Sequence, residues 1–129
     1  MKALILTDIQ NDFLPGGSLP VKDGDKIIPL VNELQSKFEL VAALQDWHPK
    51  DHLSFASSHN KKPGEKIMLD GLQQILWPDH CVQGTKGADF SAALNKDKID
   101  IVFQKGTDRY VDSYSGFFDN GHRKPTGLA

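Results

Sequence analysis

Ala3-Leu4-Ile5-Leu6-Thr7-Asp8 is an unbroken apolar run that stops on an acid. A strand buried on both faces of a parallel sheet reads this way, since neither face needs the alternation of a half-solvated strand. The pattern recurs in Leu40-Val41-Ala42-Ala43-Leu44, which leads through Gln45 to Asp46, and in Ile99-Asp100-Ile101-Val102-Phe103, which leads to Lys105. Between the first two runs lies a turn-rich loop with Asn11, Asp12, Pro15, Gly16, Gly17, Pro20, Asp23 and Gly24. After it, Ile27, Val31, Leu34 and Phe38 fall at offsets of four, three and four, one stripe of a helix, with Pro29 tolerated near its first turns. Strand, helix and strand in about forty residues form a right-handed parallel crossover. The expected fold is an α/β, Rossmann-like parallel sheet in three layers, a single domain over residues 1–129.

Residues 47–80 show no sustained period, and the sequence predicts only a short turn around Leu72–Leu76. A loop of that length in a compact domain is usually functional. A small helix is expected near Phe90–Leu94. No repeat, low-complexity tract or linker interrupts the chain. One domain suits 129 residues, and 39% hydrophobic residues argue against wholesale disorder. Fifteen basic against 17 acidic residues, with no basic run longer than Lys61-Lys62, exclude a nucleic acid or anionic membrane as the natural partner. A single cysteine, and an N-terminal apolar run too short for a signal peptide, make a soluble, reducing, cytoplasmic setting the expectation.

The chemistry is expected where the three strands deliver Asp8, Asp46 and Lys105, because open α/β sheets bind ligands at the carboxyl ends of their strands. Asp46 and His48 are two apart in extended chain and project to one side. His80 follows in Trp77-Pro78-Asp79-His80-Cys81. A carboxylate with two or three imidazoles suits zinc, iron or manganese, so Asp46, His48 and His80 are the candidate ligands of one divalent ion. His52 is a further candidate ligand or a supporting partner, and His59 and His122 are expected at the surface. Asp8 could be a helix cap and Lys105 a solvated strand end. At one sheet edge, however, an acid and a base can pair and leave the carboxylate ready to move protons. Phe13, Trp77 and Tyr114 could wall a flat ring, although each alone reads as a core residue. Dinucleotide and P-loop fingerprints are absent, as is a GxSxG elbow. An aspartyl-phosphate mechanism would want an acid where Gln10 stands.

Five ordered motifs then resemble a known family: Thr7-Asp8-Ile9-Gln10-Asn11-Asp12-Phe13, Gln45-Asp46-Trp47-His48-Pro49, Trp77-Pro78-Asp79-His80-Cys81-Val82-Gln83-Gly84-Thr85, Lys105-Gly106-Thr107-Asp108 and Asp112-Ser113-Tyr114-Ser115-Gly116-Phe117. They look like the nicotinamidase/pyrazinamidase branch of the isochorismatase-like cysteine hydrolases. The resemblance implies an Asp-Lys-Cys triad with Asp8 and Lys105 as two members. It implies Asp46, His48 and His80 as metal ligands, His52 joining them in some members, and conversion of nicotinamide to nicotinate and ammonia in NAD salvage, with pyrazinamide as a related substrate. The family nucleophile follows a fourth strand, which residues 1–129 do not reach, and Cys81 belongs to the metal-loop motif. The sheet is therefore expected to be truncated after its third strand. By the family's sheet order the first strand would be left as an exposed edge, and the 129-residue chain alone inactive and prone to self-association, leaving room for a homo-oligomer. Rival readings are an amidohydrolase for another small amide and an inactive metal- or ligand-binding fragment.

Overall fold

The computed structural model describes residues 1–129. Its centre is a three-stranded parallel sheet of β1 (Ala3–Thr7), β2 (Leu40–Asp46) and β5 (Ile101–Lys105), with β2 in the middle. One helix, α1 (Ile28–Gln35), makes the crossover from β1 to β2. A second, two-stranded antiparallel sheet of β3 (Lys66–Leu69) and β4 (Leu72–Ile75) stands in the long loop. The chain is thus mixed α/β with a parallel sheet, as its apolar runs predict. No helix is long and apolar enough to cross a membrane.

Register does most of the positioning. Thr7 pairs with Leu44, and Asp46 pairs with Lys105. Ladder partners in adjacent parallel strands present their side chains to the same face. The last residues of β2 and β5 therefore arrive side by side, an acid beside a base. β1 leaves the ladder one residue earlier, at Asp8, whose φ of 55° is left-handed.

β2 is buried on both faces, as its sequence predicts. β1 is not: Leu4 and Leu6 turn inward, while Ile5 is 45% exposed. β1 forms the sheet edge, and only its Leu4/Leu6 face meets the core of Leu6, Ile9, Ile28, Val41, Ala43 and Leu94. The helical stripe is also displaced by one residue. Ile28 and Gln35 are buried and Ile27 is exposed, because Gly24–Ile27 is a 3-10 turn and its tighter winding shifts the phase of α1.

Three further expectations are corrected. The segment around Leu72–Leu76 is a strand rather than a turn. Asp70 and Gly71, both left-handed at φ 49° and 82°, form the tight two-residue hairpin connection that Asp-Gly favours. Phe90–Leu94 is not helical, since Phe90 is held in an antiparallel bridge to Gln10 and Ser91 N–H donates to Ile9 C=O. The third strand of the parallel sheet begins at Ile101, not Ile99, because the Asp100 carboxylate takes the Val41 N–H at 2.7 Å and caps the ladder there. After β5 the chain folds back on itself, Thr126 N–H donating to Phe117 C=O.

Candidate functional site

Lys105 is the hub. Its side chain is 3% exposed, and its ammonium bonds Asp8 Oδ2 at 3.1 Å, an Asp46 carboxylate oxygen, and the Ser113 carbonyl at 3.0 Å. All three ammonium donors are thereby used. Flanked by two carboxylates, the ammonium is held above its ordinary range even though burial opposes the charge. The two carboxylates part company. Burial pushes Asp8 up to about 6 despite Lys105, and its Oδ1 has no hydrogen-bond partner. Burial acts in the same direction on Asp46 but is outweighed by the His48 imidazole and the Lys105 ammonium, which bring it down to about 2.

Beside this pair lie the two expected imidazoles. His48 is wholly buried, and its Nδ1–H donates to the Gly106 carbonyl at 2.7 Å. That bond leaves Nε2 facing Asp46 Oδ2, 3.6 Å away, with no hydrogen-bond partner, and although burial opposes a charge on the ring, the Asp46 and Asp112 carboxylates outweigh it and hold His48 above its ordinary range. Gly106 has a φ of 64°, and a Cβ there would collide with the His48 ring, so this position requires glycine. His80 repeats the arrangement: Nδ1–H donates to the Pro78 carbonyl at 2.7 Å, and Nε2 stands 3.8 Å from Asp46 Oδ2. Burial holds the His80 ring below its ordinary range and so unprotonated.

Asp46, His48 and His80 thus aim three ligand atoms at one point, all within 4.8 Å of one another. A tetrahedral ion with bonds of about 2.0–2.1 Å wants ligand atoms roughly 3.3 Å apart, a little closer than the 3.6 and 3.8 Å from Asp46 Oδ2 to the two imidazoles. A buried imidazole nitrogen without a partner is what such an ion would satisfy. The donor set fits zinc or a similar divalent metal.

His52 is drawn into the same cluster, its ring 4.4 Å from that of His48, but its nitrogens are otherwise engaged. Nδ1 accepts the Ser54 N–H at 3.1 Å, so the proton sits on Nε2, which donates to the Val111 carbonyl at 3.3 Å. In this tautomer it has no free lone pair for an ion. Burial and the neighbouring His48 bring it down to about 4, and it stays neutral. His59 is half-buried rather than solvated, with Nε2 hydrogen-bonded to the Leu53 carbonyl, whereas His122 is exposed.

Phe13, Trp77 and Tyr114 do meet. With Leu19 they line a cavity of about 200 Å³ whose floor carries Asp8, Asp46, His80 and Lys105. Trp77 Nε1–H donates to Tyr114 Oη at 3.2 Å, and Gln74 Nε2–H to the same oxygen at 3.0 Å, fixing the wall. Asp112 lines the cavity too, and its Oδ1 lies 3.9 Å from His48 Nε2. Sequence reasoning passed over Leu19, Gln74 and Asp112. The Asp112-Ser113-Tyr114 motif was the one signal that could have pointed to the last. Cys81 is fully buried, with a left-handed φ of 47° and its N–H on Asp12 Oδ2, and burial pushes its thiol well above the ordinary range.

With its candidate acid–base pair and candidate metal ligands at the carboxyl edge of a parallel sheet, the chain shares the fold of a solved isochorismatase-like hydrolase from Alkaliphilus metalliredigens, at 22% identity and a TM-score of 0.57 over 81% of this chain and 51% of that one. More narrowly, the chain belongs to the nicotinamidase/pyrazinamidase family. It is 50% identical over 131 aligned positions to the nicotinamidase of Escherichia coli K12, an alignment covering 98% of this chain and 62% of that one. A solved Acinetobacter baumanii nicotinamidase/pyrazinamidase superposes with a TM-score of 0.94 at 48% identity, over 98% of this chain and 61% of that one. The yeast nicotinamidase superposes with a TM-score of 0.92 at 31% identity, over 99% of this chain and 67% of that one. No family model matches. The chain spans between 57% and 63% of the length of the curated relatives it matches.

Proposed function

We propose that the whole protein is a metal-assisted cysteine amidohydrolase that converts nicotinamide to nicotinate and ammonia, and also accepts pyrazinamide. The observation that carries this reading is the cavity itself. A buried ammonium between two carboxylates lies at the base of a slot walled by Phe13, Trp77 and Tyr114, wide enough for a single flat ring. Two further similar structures add weight: PnC1 from L. infantum was solved in complex with nicotinate, and a Pyrococcus horikoshii pyrazinamidase in complex with zinc.

Asp8 is the proton carrier. A carboxyl brought to about 6 is ionised often enough near neutrality to accept a thiol proton, and basic enough to hold it. Its unpartnered Oδ1 is free to face the nucleophile, while Oδ2 stays on Lys105. The Lys105 charge favours the anionic forms around it and lowers the energy of a nearby thiolate. The thiolate adds to the carboxamide carbon; Asp8 gives its proton to the departing nitrogen as the C–N bond breaks, and ammonia leaves. Water then cleaves the thioester, releasing nicotinate and restoring the thiol. Cys81 does not qualify as that nucleophile, since it is sealed from solvent with a raised thiol pKa.

Asp46, His48 and His80 would hold one divalent ion, zinc or else iron or manganese, which supplies Lewis acidity toward a ring nitrogen of the bound amide. His52 supports the cluster through its contact with His48 rather than as a ligand. Pyridine-nucleotide salvage in the cytoplasm is the setting in which such an activity belongs.

Ammonia release from nicotinamide by the whole protein, wild type against Asp8→Asn, tests the assignment. We expect turnover to fall by at least 10²-fold with substrate binding retained, because Asn keeps the shape and loses the proton acceptor. Wild-type turnover in the variant, or no ammonia from the wild type, refutes it.

A further inference from the structure

Gln10 is fully buried, yet it lies in a turn rather than in the sheet, and the acid–base chemistry makes no use of it. Its side-chain oxygen accepts the Asp46 N–H at 2.8 Å. Its side-chain nitrogen donates to the Asp46 carbonyl at 2.8 Å and, with its second hydrogen, to the Ala88 carbonyl at 2.8 Å. In a parallel ladder the N–H and C=O of one residue face the same neighbour. Those of Leu44 and Asp46 face β1, whose last ladder pair is Thr7 with Leu44. Asp8 N–H still reaches the Leu44 carbonyl at 3.2 Å, and then the backbone turns away through the left-handed Asp8. The next rung, at Asp46, has no strand opposite it.

We propose that Gln10 is a positioning residue of the metal centre, its carboxamide replacing the absent strand rung and fixing the Asp46 main chain so that the carboxylate is shared between Lys105 and the ion. The inference rests on the metal reading given above. A primary amide is the one side-chain group that offers a donor and an acceptor in the geometry of a peptide unit, so it can close both bonds at once. The benefit is angular. Asp46 must present one oxygen to Lys105 and the other to the space between His48 Nε2 and His80 Nε2. A strand end free to twist on one side would let that carboxylate rotate fully onto the ammonium. Because Gln10 is two residues from Asp8, the same turn sets the proton carrier and the metal carboxylate relative to each other.

Gln10→Met, which fills a similar volume with no hydrogen bonds, is compared with wild type, His48→Ala and Asn32→Ala in metal-stripped protein titrated with cobalt(II), following its visible absorption, with zinc competition for affinity. Asn32 is the control: its carboxamide also bridges two backbone groups, Ala93 C=O and Asn95 N–H, but remote from the cluster. We expect Gln10→Met to bind cobalt 10- to 100-fold more weakly than wild type, with an altered absorption band, the size typical for removing a supporting partner of a ligand. Asn32→Ala should lose stability and keep both affinity and spectrum. Unchanged affinity and spectrum in Gln10→Met, or an equal loss in Asn32→Ala, overturns the positioning role alone. A wild type that takes up no ion, or a His48→Ala protein that binds like wild type, overturns the metal reading beneath it.

Discussion

Asp8→Asn should stabilise the metal-stripped protein, and by an amount that depends on pH in a defined way. The Asp8 carboxyl moves from an ordinary 3.8 to about 6 on folding, chiefly because burial penalises its charged form. A folded pKa above the unfolded one means the native state binds the proton more tightly. The stability that this proton contributes is complete below 3.8 and is lost as pH rises through about 6. Ionised Asp8 therefore destabilises the fold by on the order of 3 kcal/mol at pH 7.5, and by only about 0.5 kcal/mol at pH 4. Asparagine imitates the neutral acid at every pH. Unfolding midpoints of wild type and Asp8→Asn, measured with a chelator present, should nearly coincide at pH 4 and diverge by about 10 °C at pH 7.5, the variant being the more stable. A variant less stable than wild type at pH 7.5, or a gap that narrows as pH rises, would mean that the Lys105 ion pair outweighs desolvation and that the argument is wrong. The substitution expected to abolish turnover should thus strengthen the fold, as expected where a site holds a charge for chemistry rather than stability.

Other outcomes follow from the same geometry. Metal analysis should find one equivalent of divalent ion in wild type and in His52→Asn, and far less in His48→Ala. Lys105→Met should destabilise by about 3–5 kcal/mol, because it leaves Asp8 and Asp46 facing one another uncompensated, and it should eliminate turnover; chemical denaturation and ammonia release measure the two effects. Gly87→Ala should destabilise by roughly 1–3 kcal/mol, since a Cβ there would collide with the Asp12 carboxylate and push it off the Cys81 N–H; a denaturation midpoint equal to wild type would contradict this. The Cys81 thiol should resist a disulfide reagent in native protein and react at once on unfolding, and Cys81→Ala should retain nicotinamide hydrolysis in the whole protein.

The parts of the fold legible in the sequence were those written in local hydrophobic runs. β1, β2 and the third strand of the parallel sheet announce themselves by continuous apolar stretches, and each ends at the charged residue that reaches the site. The hairpin of β3 and β4 was missed although Asp70-Gly71 marks it, because its strands, Lys66–Leu69 and Leu72–Ile75, are four residues each and half-exposed, too short for a period. Phe90–Leu94 misled for the opposite reason: helical spacing was present, but the long-range bridge to Gln10 decided the conformation. Asp46, His48 and His80 could be found by residue type and motif. That His52 would turn its Nε2 to the Val111 carbonyl could not, since one Ser54 N–H decides its tautomer.

Gln10 and Asp12 show where sequence reasoning ends and packing begins. Both stand in the motif that follows β1, and by composition they are ordinary turn polars. In the fold they reach across to two different loops. Gln10 holds the main chain of Asp46, and Asp12 Oδ2 takes the N–H of Cys81, the residue after His80. One six-residue turn, Asp8–Phe13, therefore supplies the proposed proton carrier, one anchor for each of two candidate metal ligands, and an aromatic wall of the cavity. None of its side chains except Asp8 need touch the reacting atoms. A turn so heavily committed has little freedom to vary, because shifting any one contact moves the carboxylate at Asp8 relative to the carboxylate at Asp46, and Lys105 between them can follow only one.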